Sequence, residues 1–188
     1  MEPARTTPIP RIDIAPTEGG MDRTALEREL EALHAQSFAW ALACCGNRRH
    51  EAEDALQVAY LRVLDGSACF AGRSAFRTWL FGVIRRTSAE QRRRRLWFGA
   101  VRNGGPPIDA VDPRPRADAR LEQDQRAGEL QAALGALPRR QREVLELVFY
   151  HDMTIADAAQ VMGVSLGTAR THYERGKKNL ANRLGPQR

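Results

Sequence analysis

Cysteine, long apolar runs and catalytic motifs are all scarce in this chain, and each shortage closes a class of explanation. The 188 residues hold three cysteines, Cys44, Cys45 and Cys69. Neighbours such as Cys44 and Cys45 cannot readily bridge each other, and an odd total makes no disulfide framework, so a reducing cytoplasm is the expected compartment. The longest apolar run, Phe38 to Cys45, is eight residues, against the ~20 needed to cross a bilayer. The first 22 residues carry no apolar signal-peptide core. There is no Gly-rich phosphate loop, HExxH motif or nucleophile elbow. His34, Cys44, Cys45 and His50 fit no common zinc spacing. No catalytic residue, metal, cofactor or small-molecule substrate is therefore expected.

What is present is a basic, globular composition. Hydrophobic residues make up 43% and charged residues 28%, and 29 Lys+Arg face 23 Asp+Glu for a formal charge of +6. That balance favours a polyanionic partner. The ten prolines divide the chain: four precede residue 23, and four lie between Pro106 and Pro115. Proline is costly inside a helix, so the stretches between these clusters are free to be helical. The parse is a disordered extension over 1–22, a helical domain over 23–97, a flexible Gly/Pro-rich linker over 98–120 and a second helical domain over 121–188. The fold class expected is all-α, with two small domains joined by that linker.

Apolar residues recur at helical intervals in both halves. Ala52, Ala55, Leu56, Ala59, Tyr60 and Val63 follow one helix face, and Phe76, Trp79, Leu80, Val83 and Thr87 another. In the second half the stripes are Val144, Leu145, Val148 and Phe149, then Ile155, Ala158, Ala159 and Met162, then Leu166, Ala169, Tyr173, Gly176 and Leu180. Thr154 with Asp157 reads as a capping pair, Gly163 as a helix stop, and Ser165 as the next N-cap. Two short helices around a glycine turn, the second basic, fit a helix-turn-helix. On the last helix, Arg170, Thr171, Glu174 and Lys178 lie opposite the apolar stripe, with Arg175 flanking them. Arginine can grip guanine in the major groove and threonine can meet a base edge. Arg139, Arg140, Arg142, Lys177 and Arg183 suit phosphates.

The first half pairs an acidic helix face with a basic helix. Glu53, Asp54 and Gln57 project away from the apolar stripe and suit a basic protein surface. A loop with Phe70, Gly72, Arg73 and Ser74 then leads into a helix holding Arg85, Arg86, Arg92, Arg93, Arg94 and Arg95 against Glu90. Guanidinium groups beside exposed loop groups suit a single strand, with Phe70 the candidate for a base pocket.

Three blocks together resemble the ECF (extracytoplasmic-function) sigma factors of bacterial RNA polymerase. They are Glu51–Gln57, Phe70–Phe81, and Leu137–Leu145 continued by Ser165–Arg170. The resemblance covers roughly residues 24 to 184, and it implies a division of labour without any bond-making step. The first domain (sigma region 2) would hold the β′ clamp helices of core RNA polymerase through Glu53, Asp54 and Gln57. It would also open the −10 promoter element, using Phe70, Gly72, Arg73, Ser74, Arg86 and Glu90, with Arg85 and Arg92 to Arg95 on phosphates. The second domain (sigma region 4) would read the −35 element through Arg170, Thr171, Glu174, Arg175 and Lys178 and meet the β flap. Val58 stands where the family often has an acidic residue. An anti-sigma factor, often membrane-anchored, is a further partner implied by the family. The rival is a LuxR-like helix-turn-helix regulator, suggested by Gln141–Leu145 and Thr168–His172. A receiver or ligand-sensing first half would then alternate strands with helices.

Overall fold

A computed structural model describes residues 21–103 and 123–184. The expectations for 1–20 and for most of the linker lie outside those residues. Among the described residues there are eight helices and no strand. In the first half these are α1 (Arg23–Ala32), α2 (His34–Cys44), α3 (Arg49–Leu64) and α4 (Phe76–Asn103). The second half holds α5 (Gln123–Gly135), α6 (Arg139–Phe149), α7 (Ile155–Met162) and α8 (Leu166–Leu184). Helix α4 continues past the boundary expected at 97, through Gly99 to Asn103.

Local chemistry accounts for the helix ends. Asp22 caps α1 by accepting from the Ala25 amide at 2.8 Å. Thr154 caps α7 by accepting from the Asp157 amide at 3.0 Å, and its hydroxyl donates to the Asp157 carboxylate at 2.6 Å. Gly163 ends α7 at φ 64°, ψ 42°, a left-handed conformation that costs glycine little. Ser165 then accepts from the Thr168 amide at 3.2 Å and opens α8.

The expected apolar stripes form most of the core. Ala52, Ala55, Leu56, Ala59 and Val63 of α3 are buried, as are Phe76, Leu80, Val83 and Thr87 of α4. Gly176 of α8 is buried where a Cβ would sit 3.1 Å from Leu145 Cδ1 and 3.3 Å from Gln141 Cβ, so its missing side chain sets how closely α8 approaches α6. Two stripe members depart from expectation: Phe149 is 57% exposed and Leu166 39%. Phe149 stacks on Tyr173 at 6.0 Å on the outside of the second domain.

The two halves do not stand apart. Residues from both share one hydrophobic cluster, with Trp40, Phe81 and Ile84 from the first and Val144, Leu147, Val161 and Met162 from the second. Helix α4 packs on α7 as extensively as on its own-domain neighbours α2 and α3. Gly82 of α4 faces the Val161 backbone, with its Cβ position 3.9 Å from the Val161 carbonyl oxygen.

Polar contacts fasten the same seam. His151 is 6% exposed and stands edge-on to both Phe81 and Trp40, at 4.9 and 5.8 Å between ring centroids. Those two rings stack on each other at 5.9 Å, and the Trp40 indole N–H donates to the Phe81 carbonyl at 3.0 Å. The turn that aims His151 has Asp152 at φ 48° and is closed by the Met153 amide donating to the Leu147 carbonyl at 3.0 Å. Beside it, Glu143 is buried among Arg85 of α4 at 3.1 Å, Arg139 at 2.7 Å and Arg140 at 3.4 Å. Thr78 Oγ1 meets Asp157 Oδ1 at 3.5 Å. A buried carboxylate needs such partners, because desolvating it alone costs several kcal/mol.

Candidate nucleic-acid interface

Three surfaces carry the residues singled out by sequence. On α3, Glu53, Asp54 and Gln57 are all exposed on one face. Glu53 is paired with the Arg49 guanidinium at 2.7 Å. Leu61, one turn beyond Gln57, is 56% exposed and extends this face with an apolar patch. Its signal in the sequence is a leucine outside the buried stripe, and sequence reasoning missed it. An apolar centre beside acidic neighbours suits a protein partner better than a nucleic acid.

The second surface begins in the loop before α4. Arg73 is exposed, Gly72 adopts φ 67°, and Ser74 is half-buried. Phe70 is half-buried too, because its ring packs on Phe76 at 5.3 Å and on Trp79 at 5.4 Å. The loop is therefore anchored on a three-ring cluster, with its polar members outward. Arg86 is exposed, but it lies ten residues into α4, about 15 Å along the axis from Phe76. Glu90 is turned toward α3, paired with Arg62 at 2.7 Å.

The five arginines expected on phosphates separate into distinct environments. Arg93 and Arg94 are exposed, and Arg92 is half-buried. Arg95 is paired with Glu51 across to α3. Arg85, with its side chain only 14% exposed, is held by Glu143 in the seam between the halves, so in this arrangement it does not face solvent. The sequence could not anticipate this, since Glu143 lies on α6. Within α6 itself, Arg139 and Arg140 also pair with Glu143, and Arg142 donates to the Gly135 carbonyl at 3.1 Å.

The third surface is α8. Arg170, Thr171, Glu174, Arg175 and Lys178 are all exposed, while Ala169 and Gly176 turn inward on α6 and α7. Thr171 Oγ1 donates to the Gly167 carbonyl at 2.9 Å, which leaves its lone pairs and methyl outward. The helix is fixed from behind by Asn179, whose amide donates to Gln141 at 2.8 Å. This basic helix is thus anchored from behind with its polar face open.

Burial shifts the ionisation of several groups at and near the seam. Burial, with Arg77 adding to it and Asp152 opposing, pulls His151 down to about 4, so the ring is neutral against its aromatic partners at neutral pH. Burial lifts Glu146 to about 7, with Arg142 opposing and Glu143 reinforcing. Burial likewise pushes the Cys44 and Cys45 thiols up, away from the thiolate form that would react or bind metal.

Residues 30–98 match the family Sigma-70 region 2, and residues 127–180 match Sigma-70, region 4. The chain is 32% identical over 165 residues to the ECF RNA polymerase sigma factor SigM of Mycobacterium tuberculosis, covering 87% of this chain and 79% of that one. It belongs to the ECF RNA polymerase sigma factors. A second such sigma factor, EcfG of Rhodopseudomonas palustris, is 31% identical over 146 residues and 76% of each chain. Among solved structures, the sigma factor RpoE in complex with the anti-sigma factor NepR, from Bartonella quintana, shares the fold. Its TM-score is 0.69 at 24% identity, over 86% of this chain and 98% of that one. CnrH in complex with the cytosolic domain of CnrY follows at TM-score 0.59 and 20% identity, over 87% and 89%. The LuxR-like alternative needed strands in the first half, and residues 21–103 hold none. Among the described residues no helix of this sigma factor is long and apolar enough to cross a membrane.

Proposed function

We propose that this sigma factor binds core RNA polymerase, carries it to a class of promoters and opens them. In this reading 23–97 is the domain that holds the polymerase and melts the −10 element, and 121–188 is the domain that reads the −35 element. The observation that carries it is the separation of two chemically opposite exposed faces onto the two matched domains: acidic and apolar on α3, basic on α8. Glu53, Asp54, Gln57 and Leu61 would meet the β′ clamp helices. Arg170, Thr171, Glu174, Arg175 and Lys178 would enter the major groove. Phe70 to Ser74, Arg86, Arg93 and Arg94 would hold the displaced strand, with the free energy of binding offsetting the few kcal/mol needed to unstack a base.

The closed seam makes opening part of this proposal. The −10 and −35 elements lie about 25 base pairs apart, or ~85 Å at 3.4 Å per pair. A compact chain of this length has a radius of gyration of about 16 Å. The docked form is too short to touch both elements, so His151 leaves the Trp40–Phe81 cleft and Arg85 leaves Glu143 when the promoter is bound. An anti-sigma factor would act by favouring the closed form. RpoE, which shares this fold, was solved in complex with the anti-sigma factor NepR, and CnrH with the cytosolic domain of CnrY. The test is in vitro transcription from genomic fragments with core polymerase, with and without the chain. New start sites that share upstream sequence are expected. Core polymerase that neither retains the chain nor changes its start sites overturns the proposal.

A further inference from the structure

Two large aromatic side chains near the end of α4 stand on the surface. Trp97 is 63% exposed and Phe98 59%, although both are apolar and adjacent. Their rings meet edge to face at 5.0 Å and 72°, leaving faces of both open to solvent. One turn earlier on the same helix stand the exposed guanidinium groups of Arg93 and Arg94, each four residues before one of the rings.

We propose that Trp97 and Phe98, with Arg93 and Arg94, form a stacking platform for unpaired bases of promoter DNA. The proposal deepens the function given above and rests on it. Exposed aromatic rings beside arginines are the chemistry that single strands require: π-faces for bases and cations for the backbone.

The placement along α4 gives the strand a path. At 100° per residue, Trp79, Arg86, Arg93 and Trp97 fall within about 40° of one another on the helix circumference. Trp79 packs under Phe70 at one end of this stripe, and Arg86 and Arg93 are exposed along it. Glu90 lies on the same stripe, but its carboxylate is turned aside and neutralised by Arg62 at 2.7 Å. From Phe76 to Trp97 the axis runs about 31 Å, the length of about nine stacked nucleotides and of fewer when the strand is stretched. One strand can thus touch the Phe70–Ser74 loop and end on the platform.

The test compares wild type with the double variant W97A/F98A, each reconstituted with core polymerase, on two probes. One is a fork-junction promoter with its non-template strand exposed, and the other is the same sequence fully paired. The alanine variant is expected to bind the fork about five- to 150-fold more weakly, the range for losing one stacked base. Its affinity for the paired probe should be unchanged, and W97Y/F98Y should restore fork binding. In a separate arm without polymerase, a single-stranded DNA dodecamer should quench tryptophan fluorescence of the wild-type chain and not of W97F. Equal affinity of variant and wild type for the fork overturns the platform. So does an equal loss on both probes, loss of polymerase binding by the variant, or stronger quenching by RNA of the same sequence. Wild type that fails to join core polymerase at all is a different result, since it removes the function on which the platform depends.

Discussion

Helices α4 and α8 are both rich in arginine, yet they present it to solvent differently. On α8 every candidate reading residue is exposed while the opposite face is locked to α6 and α7. On α4 the arginines are divided: Arg86, Arg93 and Arg94 face outward, whereas Arg85 is half-buried and held by Glu143, and Arg95 is paired with Glu51. The difference arises because α4 is shared. It is a core helix of the first domain and the surface on which α7 of the second domain sits. On the proposed function, a reading helix that belongs to one domain is ready as folded, and one that also forms the seam becomes fully available only when the seam parts.

The sharpest way to break this contrast is to prevent the parting. Thr78 and Asp157 meet across the seam at 3.5 Å. A T78C/D157C variant, in a Cys69→Ser background and bridged by a short bis-methanethiosulfonate, which forms a disulfide with each cysteine and releases methanesulfinate, should lose promoter-dependent transcription almost completely. Reduction should restore it. Undiminished transcription from the bridged chain would show that the seam is irrelevant to initiation.

Releasing the seam should cost less. Glu143→Ala leaves Arg85 and its two companions without their carboxylate, and breaking such a buried pair costs about 3–5 kcal/mol. Chemical denaturation measures this, and a loss below about 1 kcal/mol would mean that solvent already satisfies Arg85. On α8 the comparable substitution should leave stability alone. Arg170→Ala is expected to cost about 1–3 kcal/mol of discrimination between a −35 site and its mutants, with unfolding unchanged within ~0.5 kcal/mol. A uniform loss on all sequences would assign Arg170 to phosphates instead.

The smallest effect is set by pH. His151 is held below its ordinary value in the docked form, so its contribution to docking is complete above about 6.5 and is lost as pH falls toward 4. Glu146 acts oppositely: with its value raised to about 7, its burial is cost-free near pH 4.5 and becomes a burden as pH climbs through 7. His151→Phe keeps a ring against Trp40 and Phe81 but cannot be protonated. Interdomain distance followed from pH 7 to pH 4 should rise in wild type and less in this variant. Identical curves would place the acid sensitivity elsewhere.

Much of this architecture was legible in the residues. The Ala52–Val63 and Phe76–Thr87 stripes, the Thr154 cap, the Gly163 stop and the Ser165 cap all appear where period and capping chemistry place them. These are short-range features, carried by neighbours within one or two turns. The seam was not legible, because it depends on pairs far apart in sequence: Arg85 with Glu143, and His151 with Trp40 and Phe81. His151–Asp152 reads as an ordinary helix-ending turn, and nothing local marks the histidine as the residue the other domain receives. Leu61, Trp97 and Phe98 were passed over for a related reason. Periodicity finds what is buried, and these residues stand out only once their exposure is known.

The direct measurement is the distance between the two domains, read by fluorescence transfer between labels at exposed Ala39 on α2 and Asn182 on α8. It is taken in the free chain and again in the promoter-bound polymerase complex. A short distance in the free chain is expected, lengthening by several tens of ångströms on the promoter, as ~85 Å between elements demands. A distance that stays short on the promoter, or is already long in the free chain, would contradict it.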